Sequence, residues 1–231
     1  MKPITELLWK QHENGIVYPI ITAHSGCEGT PDNSIAHIKT AIESGAECFE
    51  IDINAAPDGM LYLTHDKPSS YEGIPLFEEC LKLAAADEKI MINCDVKTEW
   101  LKAPVIALAK KYGMEARILF TGSYHLGELT DLNASAADWW VNIFHNTEES
   151  ISETLSIYDS LGGAYRILNL HYGMVNDAFA ARTRKAGYPL SVWTVNNEEG
   201  LRRMMTYPEV WNITTRIPKL ALQIRKEIFG V

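Results

Sequence analysis

Short apolar runs alternate with amphipathic stretches from one end of the chain to the other. The apolar runs are typical of buried strands, and the amphipathic stretches are typical of helices that cover a sheet. Eight strand–helix units can be counted. The predicted strands are 18–23, 48–53, 90–96, 118–121, 139–143, 166–170, 190–194 and 211–214. The predicted helices are 34–43, 75–85, 102–112, 123–132, 150–161, 176–186, 198–205 and 218–229.

This repetition predicts an α/β fold, a single (β/α)₈ TIM barrel that spans residues 1–231. Gly113 and Gly187 lie where helix C-caps are expected, and Pro218 suits the first turn of the last helix. In such barrels the active site forms at the C-terminal ends of the strands and in the loops that follow them. Polar residues at those positions are therefore the candidates for chemistry.

Composition narrows the range of partners. The formal net charge of −9 argues against a nucleic-acid or anionic-membrane surface, so an anionic small molecule would need a local cationic site. The four cysteines are far apart in sequence, which favours buried thiols in a reducing cytoplasm. Neither a signal peptide nor an apolar stretch long enough to span a bilayer is visible. No apolar stripe decides whether the chain forms a homo-oligomer.

Glu50 and Asp52 are the most informative residues, because they lie one residue apart within an apolar run. In a strand such residues face the same side, about 7 Å apart, so both can reach one cation. Burying two like charges without a counter-ion costs several kcal/mol or raises their pKa values, which favours a bound metal. The alternative is an edge strand whose acidic face lies in water. Other polar residues lie at predicted strand ends or return toward them: His24, His65, Asp95 and Lys97.

An ordered set of motifs extends this pattern along nearly the whole chain. The chain resembles the glycerophosphodiester phosphodiesterase family in His24-Ser25-Gly26, Pro31-Asp32-Asn33-Ser34, Glu50-Ile51-Asp52, Asp58-Gly59 and His65-Asp66. The resemblance continues in Asn93-Cys94-Asp95-Val96-Lys97, Val192-Trp193-Thr194-Val195-Asn196 and Ile213-Thr214-Thr215-Arg216-Ile217-Pro218. Each motif alone is weak evidence, and their shared order is strong evidence.

The resemblance implies a role for each matching residue. Glu50, Asp52 and Asp95 would bind one divalent cation, and His24 and His65 would form the acid–base pair. An all-oxygen ligand set favours Mg²⁺ or Ca²⁺ over zinc. The residues implied in binding the substrate and its phosphate are Lys97, Ser25, Asn33 and Trp193. Simpler alternatives are an ion pair between Lys97 and Asp95, a helix N-cap at Asn33 and a packing role for Trp193.

The chain also departs from the family pattern. Ser25 stands where the family has Arg, which removes a guanidinium that would bind phosphate bidentately. Asp32 and Asp95 each replace Glu, and Thr215 replaces Asp. The small insertion that usually follows the second strand and roofs the substrate is largely absent.

The resemblance predicts a phosphoric diester hydrolase that converts a glycerophosphodiester to an alcohol and glycerol 3-phosphate. The departures leave two alternatives open. One is a related phosphodiesterase that acts on phosphoinositol or lysophospholipid substrates. The other is a catalytically inactive barrel that binds a phosphorylated ligand.

Overall fold

The computed structural model describes residues 2–15, 17–98, 100–122, 128, 132–145, 147–160 and 167–231. Eight parallel strands form a closed barrel, because the first strand, β1 (Ile20–Ala23), pairs with both β2 (Cys48–Ala55) and β9 (Val210–Thr215). The short strand β3 (Leu61–Leu63) pairs antiparallel with β2. The strands are β1 (Ile20–Ala23), β2 (Cys48–Ala55), β3 (Leu61–Leu63), β4 (Met91–Val96), β5 (Ile118–Gly122), β6 (Asp138–Ile143), β7 (Leu168–His171), β8 (Leu190–Trp193) and β9 (Val210–Thr215).

The helices cover the outside of this barrel, with local sequence signals at their ends. The side chains of Ser34, Asn176 and Asn197 accept N–H bonds as N-caps, and Gly187 ends a helix in the left-handed region. The α-helices of the described residues are α1 (Pro3–Glu13), α2 (Ile35–Ser44), α3 (Phe77–Ala85), α4 (Lys102–Lys111), α5 (Glu148–Ser160), α6 (Asp177–Ala186), α7 (Glu198–Met205) and α8 (Pro218–Phe229).

The predicted (β/α)₈ barrel is confirmed. All eight predicted strands are present, and the predicted and observed ends of these strands and of the matching helices differ by at most two residues. The predicted helix 123–132 lies mostly outside the described residues. The four cysteines are buried thiols without disulfides, as predicted. In the part of the chain that the structure describes, no helix combines the length and the apolar character that a membrane span needs.

Residues on β2 explain how the barrel separates packing from chemistry. Phe49, Ile51 and Ile53 are fully buried in the layer between the strands and the helices. Glu50 and Asp52 alternate with them and therefore project into the barrel interior. The strand thus holds its carboxylates in place through the packing of its opposite face.

The sequence analysis missed helix α1, which precedes the first strand–helix unit and packs against the N-terminal ends of the strands. Ile4 and Leu8 pack with the first residues of several strands, including Ile20. The N–H of Thr5 donates to the buried carboxylate of Asp138 over 2.6 Å. The helix closes the end of the barrel opposite the predicted active site.

Replacing Leu8 by Ala should lower the free energy of unfolding by about 2–5 kcal/mol, because a nearly fully buried leucine leaves a cavity. The matched control is Leu7→Ala, since Leu7 is 48% exposed on the same helix. The control should change the free energy by no more than about 0.5 kcal/mol. Urea denaturation measures both, and equal values would contradict the packing of α1.

Candidate active site

Three carboxylates meet at the C-terminal ends of two neighbouring parallel strands. The register of β2 and β4 places Asp52 beside Asp95 and Glu50 beside Asn93. Glu50, Asp52 and Asp95 each offer an oxygen, and these oxygens all lie within 4.8 Å of one another. The structure therefore brings together the three residues that the sequence predicted as metal ligands.

Burial and mutual repulsion disfavour the ionised forms of the carboxyl groups in this cluster. Burial, with the neighbouring charge of Asp52, raises the pKa of Glu50 to about 8. Burial also raises the pKa of Asp95 despite an ion pair with Lys97. The Lys97 ammonium lies 2.9 Å from Asp52 and 2.6 Å from Asp95. Burial alone would lower the pKa of Lys97, but these two carboxylates outweigh it and the pKa is raised.

The chemistry of the donor set fits a hard divalent cation. One lysine compensates only part of the charge of three carboxylates, so the ionised cluster attracts further positive charge. Carboxylate oxygens are the ligands that Mg²⁺ and Ca²⁺ prefer in proteins. The cluster could therefore hold a metal ion.

His24 lies beside the cluster and follows β1 directly. The backbone N–H of His24 donates to the carbonyl of Thr215 over 2.8 Å, which fixes this residue to the end of β9. Its ring Nδ1 lies 3.0 Å from the carbonyl of Ser25 and 3.8 Å from the Glu50 carboxylate. Burial lowers the pKa of His24, which favours the neutral ring. Because a carbonyl only accepts, Nδ1 carries the proton and Nε2 is the atom that can accept one.

His65 lies on the loop after β3, at the same end of the barrel. Its Nδ1 is 2.9 Å from the carboxylate of Asp66, so chemistry on a substrate falls to Nε2. The side-chain amide of Asn54 donates to the carbonyls of Thr64 and His65, over 3.1 and 2.9 Å. The nearby ring of His65 opposes the burial that raises the pKa of Asp95, although burial outweighs it. The loop thus holds the second histidine near the acidic cluster.

Ser25 and Asn33 are buried, and their hydrogen bonds position the carboxylates of Glu50 and Asp52. The N–H of Asn33 donates to the Ser25 hydroxyl over 2.7 Å, and the Asn33 amide donates to Asp52 over 2.8 Å. The N–H of Ser25 donates to Glu50 over 3.0 Å. The N-cap alternative for Asn33 is wrong, because Ser34 caps α2. The Ser25 hydroxyl also donates to the side-chain oxygen of Asn33 over 3.2 Å. The contact of these two residues with the phosphate stays a prediction.

A polar cavity of about 230 Å³ adjoins the cluster inside the barrel mouth. His24, Glu50 and Asp95 line one side of it. Trp193 lines the cavity too, and its ring packs edge-on against His171 at 5.7 Å. The other lining residues carry amides or hydroxyls: Asn93, Thr121, Asn142, Asn169, Thr194 and Thr214. Such a lining suits a small, polar ligand with hydroxyl groups.

Sequence reasoning missed two supporting residues, Asn54 and Asp66. Asn54 continues the alternation of Glu50 and Asp52 along β2, so the period-two pattern contained the signal. Asp66 belongs to the His65-Asp66 motif, and its side chain contacts the ring of His65. The predicted Lys97–Asp95 ion pair is present, and Lys97 also contacts Asp52.

Comparisons with known proteins support the resemblance seen in the motifs. No family model matches the chain. It is 25% identical to a glycerophosphodiester phosphodiesterase of Bacillus altitudinis, over 90% of this chain and 98% of that protein. It is 23% identical to one of Caldanaerobacter subterraneus subsp. tengcongensis, over 80% and 89% of the two chains. These relatives are phosphoric diester hydrolases, and the predicted resemblance to their family is confirmed.

Solved structures agree on the fold. A phosphodiesterase of Oleispira antarctica, determined in complex with the product sn-glycerol-3-phosphate, superposes with a TM-score of 0.70. The two proteins are 19% identical, and the match covers 90% of this chain and 96% of the other. The barrel architecture is therefore shared with this phosphodiesterase.

Magnesium or calcium should stabilise the protein through the acidic cluster. At a concentration of about 100 times its Kd, the cation should raise the Tm by roughly 5–10 °C. Glu50→Gln should lose most of this gain. The cation-free variant should be at least as stable as the cation-free parent, because an amide removes buried repulsion.

Thermal denaturation with and without the cation measures both effects. Asp58→Asn is the matched control, since Asp58 lies on an exposed turn after β2 and should leave the gain unchanged. An equal gain in Glu50→Gln and in the parent would contradict a metal site at the cluster.

Proposed function

We propose that this chain, which is similar over most of its length to glycerophosphodiester phosphodiesterases, hydrolyses a glycerophosphodiester to an alcohol and glycerol 3-phosphate. The observation that carries the proposal is the cluster of Glu50, Asp52 and Asp95 beside His24 at the mouth of a small polar cavity. The identity of the relatives and the product bound to the Oleispira antarctica enzyme support it.

Glu50, Asp52 and Asp95 would hold one Mg²⁺ or Ca²⁺ ion. When bound, the ion supplies positive charge that stabilises the charge developing on the phosphoryl oxygens. Lys97 bridges two of these carboxylates and would contact the phosphate from the same side. Ser25 and Asn33 keep the carboxylates aligned through their hydrogen bonds.

The two histidines move the protons. Burial lowers the pKa of His24 and favours its neutral ring, so its Nε2 takes the proton from the attacking glycerol hydroxyl of the substrate. This attack expels the alcohol and forms a cyclic phosphate, which water then opens to glycerol 3-phosphate. His65 donates a proton to the departing alkoxide, and Asp66 holds its ring through Nδ1. Trp193 packs against the substrate headgroup from the cavity wall.

The proposal extends to the organisation of the protein. The barrel acts as a single domain over residues 1–231. The four buried thiols support a reducing compartment, the cytoplasm, where disulfides are rare. A small phosphodiester is the partner, and the formal charge of −9 disfavours nucleic acid.

A lysophospholipid is a second candidate substrate. Trp100 and Phe144 follow β4 and β6 at the same end of the barrel, and they are 57% and 60% exposed. Large apolar side chains exposed at this end of the barrel favour contact with an acyl chain. The connection between β3 and α3, all of whose residues the structure describes, contains no helix or strand that would roof the site.

Three substrates distinguish these possibilities: glycerophosphocholine, glycerophosphoinositol and lysophosphatidylcholine. The purified protein should release glycerol 3-phosphate from glycerophosphocholine. Chelation by EDTA should abolish turnover, and added Mg²⁺ or Ca²⁺ should restore it, because the carboxylates need a cation. Coupled detection of glycerol 3-phosphate measures hydrolysis of the two glycerophosphodiesters. Coupled detection of choline measures hydrolysis of the lysolipid, which releases choline and lysophosphatidate.

Each other outcome contradicts a specific part of the proposal. Turnover of the lysolipid alone, or of the inositol diester alone, would contradict the proposed substrate and favour the alternative phosphodiesterase. Turnover that resists chelation would exclude metal dependence. Ligand binding without any turnover would favour the inactive barrel.

His65→Ala should reduce kcat by roughly 10²- to 10⁴-fold, because the leaving group loses its proton donor. His12→Gln is the matched control, since His12 packs on Trp211 at the opposite end of the barrel and should keep its kcat. Circular dichroism and the cation-induced rise in Tm should match the parent in both variants. Retained turnover in His65→Ala would remove this residue from the mechanism.

A further inference from the structure

We propose that Arg216 binds the phosphate of the substrate, after exchanging its contact with Asp32 for the phosphate oxygens beside His24. This assignment rests on the proposed function and adds a phosphate ligand to the same site. It makes the Asp32–Arg216 pair a resting position of the guanidinium.

The charge of the site calls for a further cation. Glu50, Asp52 and Asp95 carry three negative charges when ionised, and Lys97 together with one divalent cation supplies three positive charges. The site is then neutral before the substrate arrives. A phosphodiester brings one more negative charge into a protein whose formal net charge is −9. A cation that reaches the phosphate would therefore strengthen binding.

Arg216 lies where such a cation is needed. It directly follows β9, which pairs with β1 and so lies next to His24. The carbonyl of the preceding residue, Thr215, accepts the N–H of His24 over 2.8 Å. The positive charge of Arg216 contributes, after burial, to the lowered pKa of His24. The guanidinium is thus on the His24 side of the cluster, while Lys97 is on the Asp95 side.

The backbone of Arg216 is held by two hydrogen bonds, and its side chain is partly exposed and paired only with Asp32 in the part of the chain that the structure describes. Its N–H donates to the Asn196 side chain over 2.8 Å, and its carbonyl accepts the N–H of Glu28 over 2.8 Å. The guanidinium contacts Asp32 at 3.0 and 3.3 Å, with side chains that are 42% and 54% exposed. Exposed ion pairs contribute little to stability, so the exchange of Asp32 for a phosphate costs little.

Gly26 leaves the space that this pair occupies. Its φ of +76° is in the left-handed region, which favours glycine. A Cβ at this position would lie 2.0 Å from the Asp32 carboxylate and 3.0 Å from the Arg216 guanidinium. The backbone two residues after His24 therefore lies directly against the Asp32–Arg216 pair. From this position the Arg216 guanidinium would approach a phosphate that His24 contacts.

Ser25 cannot supply this charge, because a hydroxyl is neutral. Its hydroxyl is also buried and already bonded to Asn33. A guanidinium can bind two phosphate oxygens at once through its planar fork of N–H groups. An ammonium such as that of Lys97 acts only as a point charge and lacks this geometry. Arg216 thus provides from the end of β9 a bidentate contact that the loop after β1 lacks.

Four variants test the assignment: Arg216→Gln, Arg216→Lys, Asp32→Asn and the matched control Arg202→Gln. Arg202 pairs with Glu198 and Glu227 on the exposed face of α7 and α8. Calorimetric titration with glycerol 3-phosphate in the presence of Mg²⁺ gives Kd, and glycerophosphocholine hydrolysis gives kcat/KM. Arg216→Gln should raise Kd and lower kcat/KM, each by roughly 10- to 100-fold. Arg216→Lys should recover part of the loss, and Arg202→Gln should change neither.

Asp32→Asn separates binding from structure. If Arg216 binds phosphate, releasing it from Asp32 should keep or improve the affinity for glycerol 3-phosphate. Equal losses in Asp32→Asn and Arg216→Gln, with equal drops in Tm, would show a purely structural pair and overturn the assignment. So would an unchanged Kd in Arg216→Gln, or a parent that does not bind glycerol 3-phosphate.

The two readouts keep this assignment apart from the proposed function. If the parent binds glycerol 3-phosphate but hydrolyses no diester, the proposed function fails and the Kd values alone decide on Arg216. If the parent hydrolyses the diester and Arg216→Gln does so equally well, the assignment of Arg216 fails and the proposed function stands.

Discussion

The repulsion among three carboxylates at the ends of two paired strands governs this structure. The parallel register of β2 and β4 forces Asp52 and Asp95 together, and the strand period adds Glu50 to the same interior face. Packing of Phe49, Ile51 and Ile53 against the outer helices prevents the strand from turning this face to solvent. The fold therefore stores an unfavourable charge arrangement, which the ion pair with Lys97 relieves in part and a divalent cation would relieve further.

The surroundings divide their functions around that cluster. Ser25, Asn33 and Asn54 are neutral and form hydrogen bonds that align the carboxylates and the His65 loop without adding charge. The groups proposed to move protons or bind the phosphate lie at the rim, directly after β1, β3, β4 and β9. A rigid acidic centre with adjustable cationic and imidazole groups around it is well suited to a substrate that carries one negative charge.

Most of the fold was predictable because each strand–helix unit repeats the same local pattern, and the ends of helices 198–205 and 218–229 were correct. Helix α1 was not predictable in this way, since it precedes the repeats and its apolar residues meet partners only in the closed barrel. The meeting of Glu50, Asp52 and Asp95 followed from strand periodicity and the motif order. The direction of the Ser25 hydroxyl did not, because it depends on how the loop after β1 folds back onto itself at Asn33. The Asp32–Arg216 pair did not, because it forms between the loops after β1 and β9.

The most direct test of the central claim is a crystal structure of the protein grown with Mn²⁺ and glycerol 3-phosphate, using anomalous scattering to locate the metal. We expect one peak bonded to oxygens of Glu50, Asp52 and Asp95 at about 2.0–2.6 Å, with the phosphate beside it. A structure in which Lys97 still bridges Asp52 and Asp95, with no peak between the three carboxylates, would contradict the account.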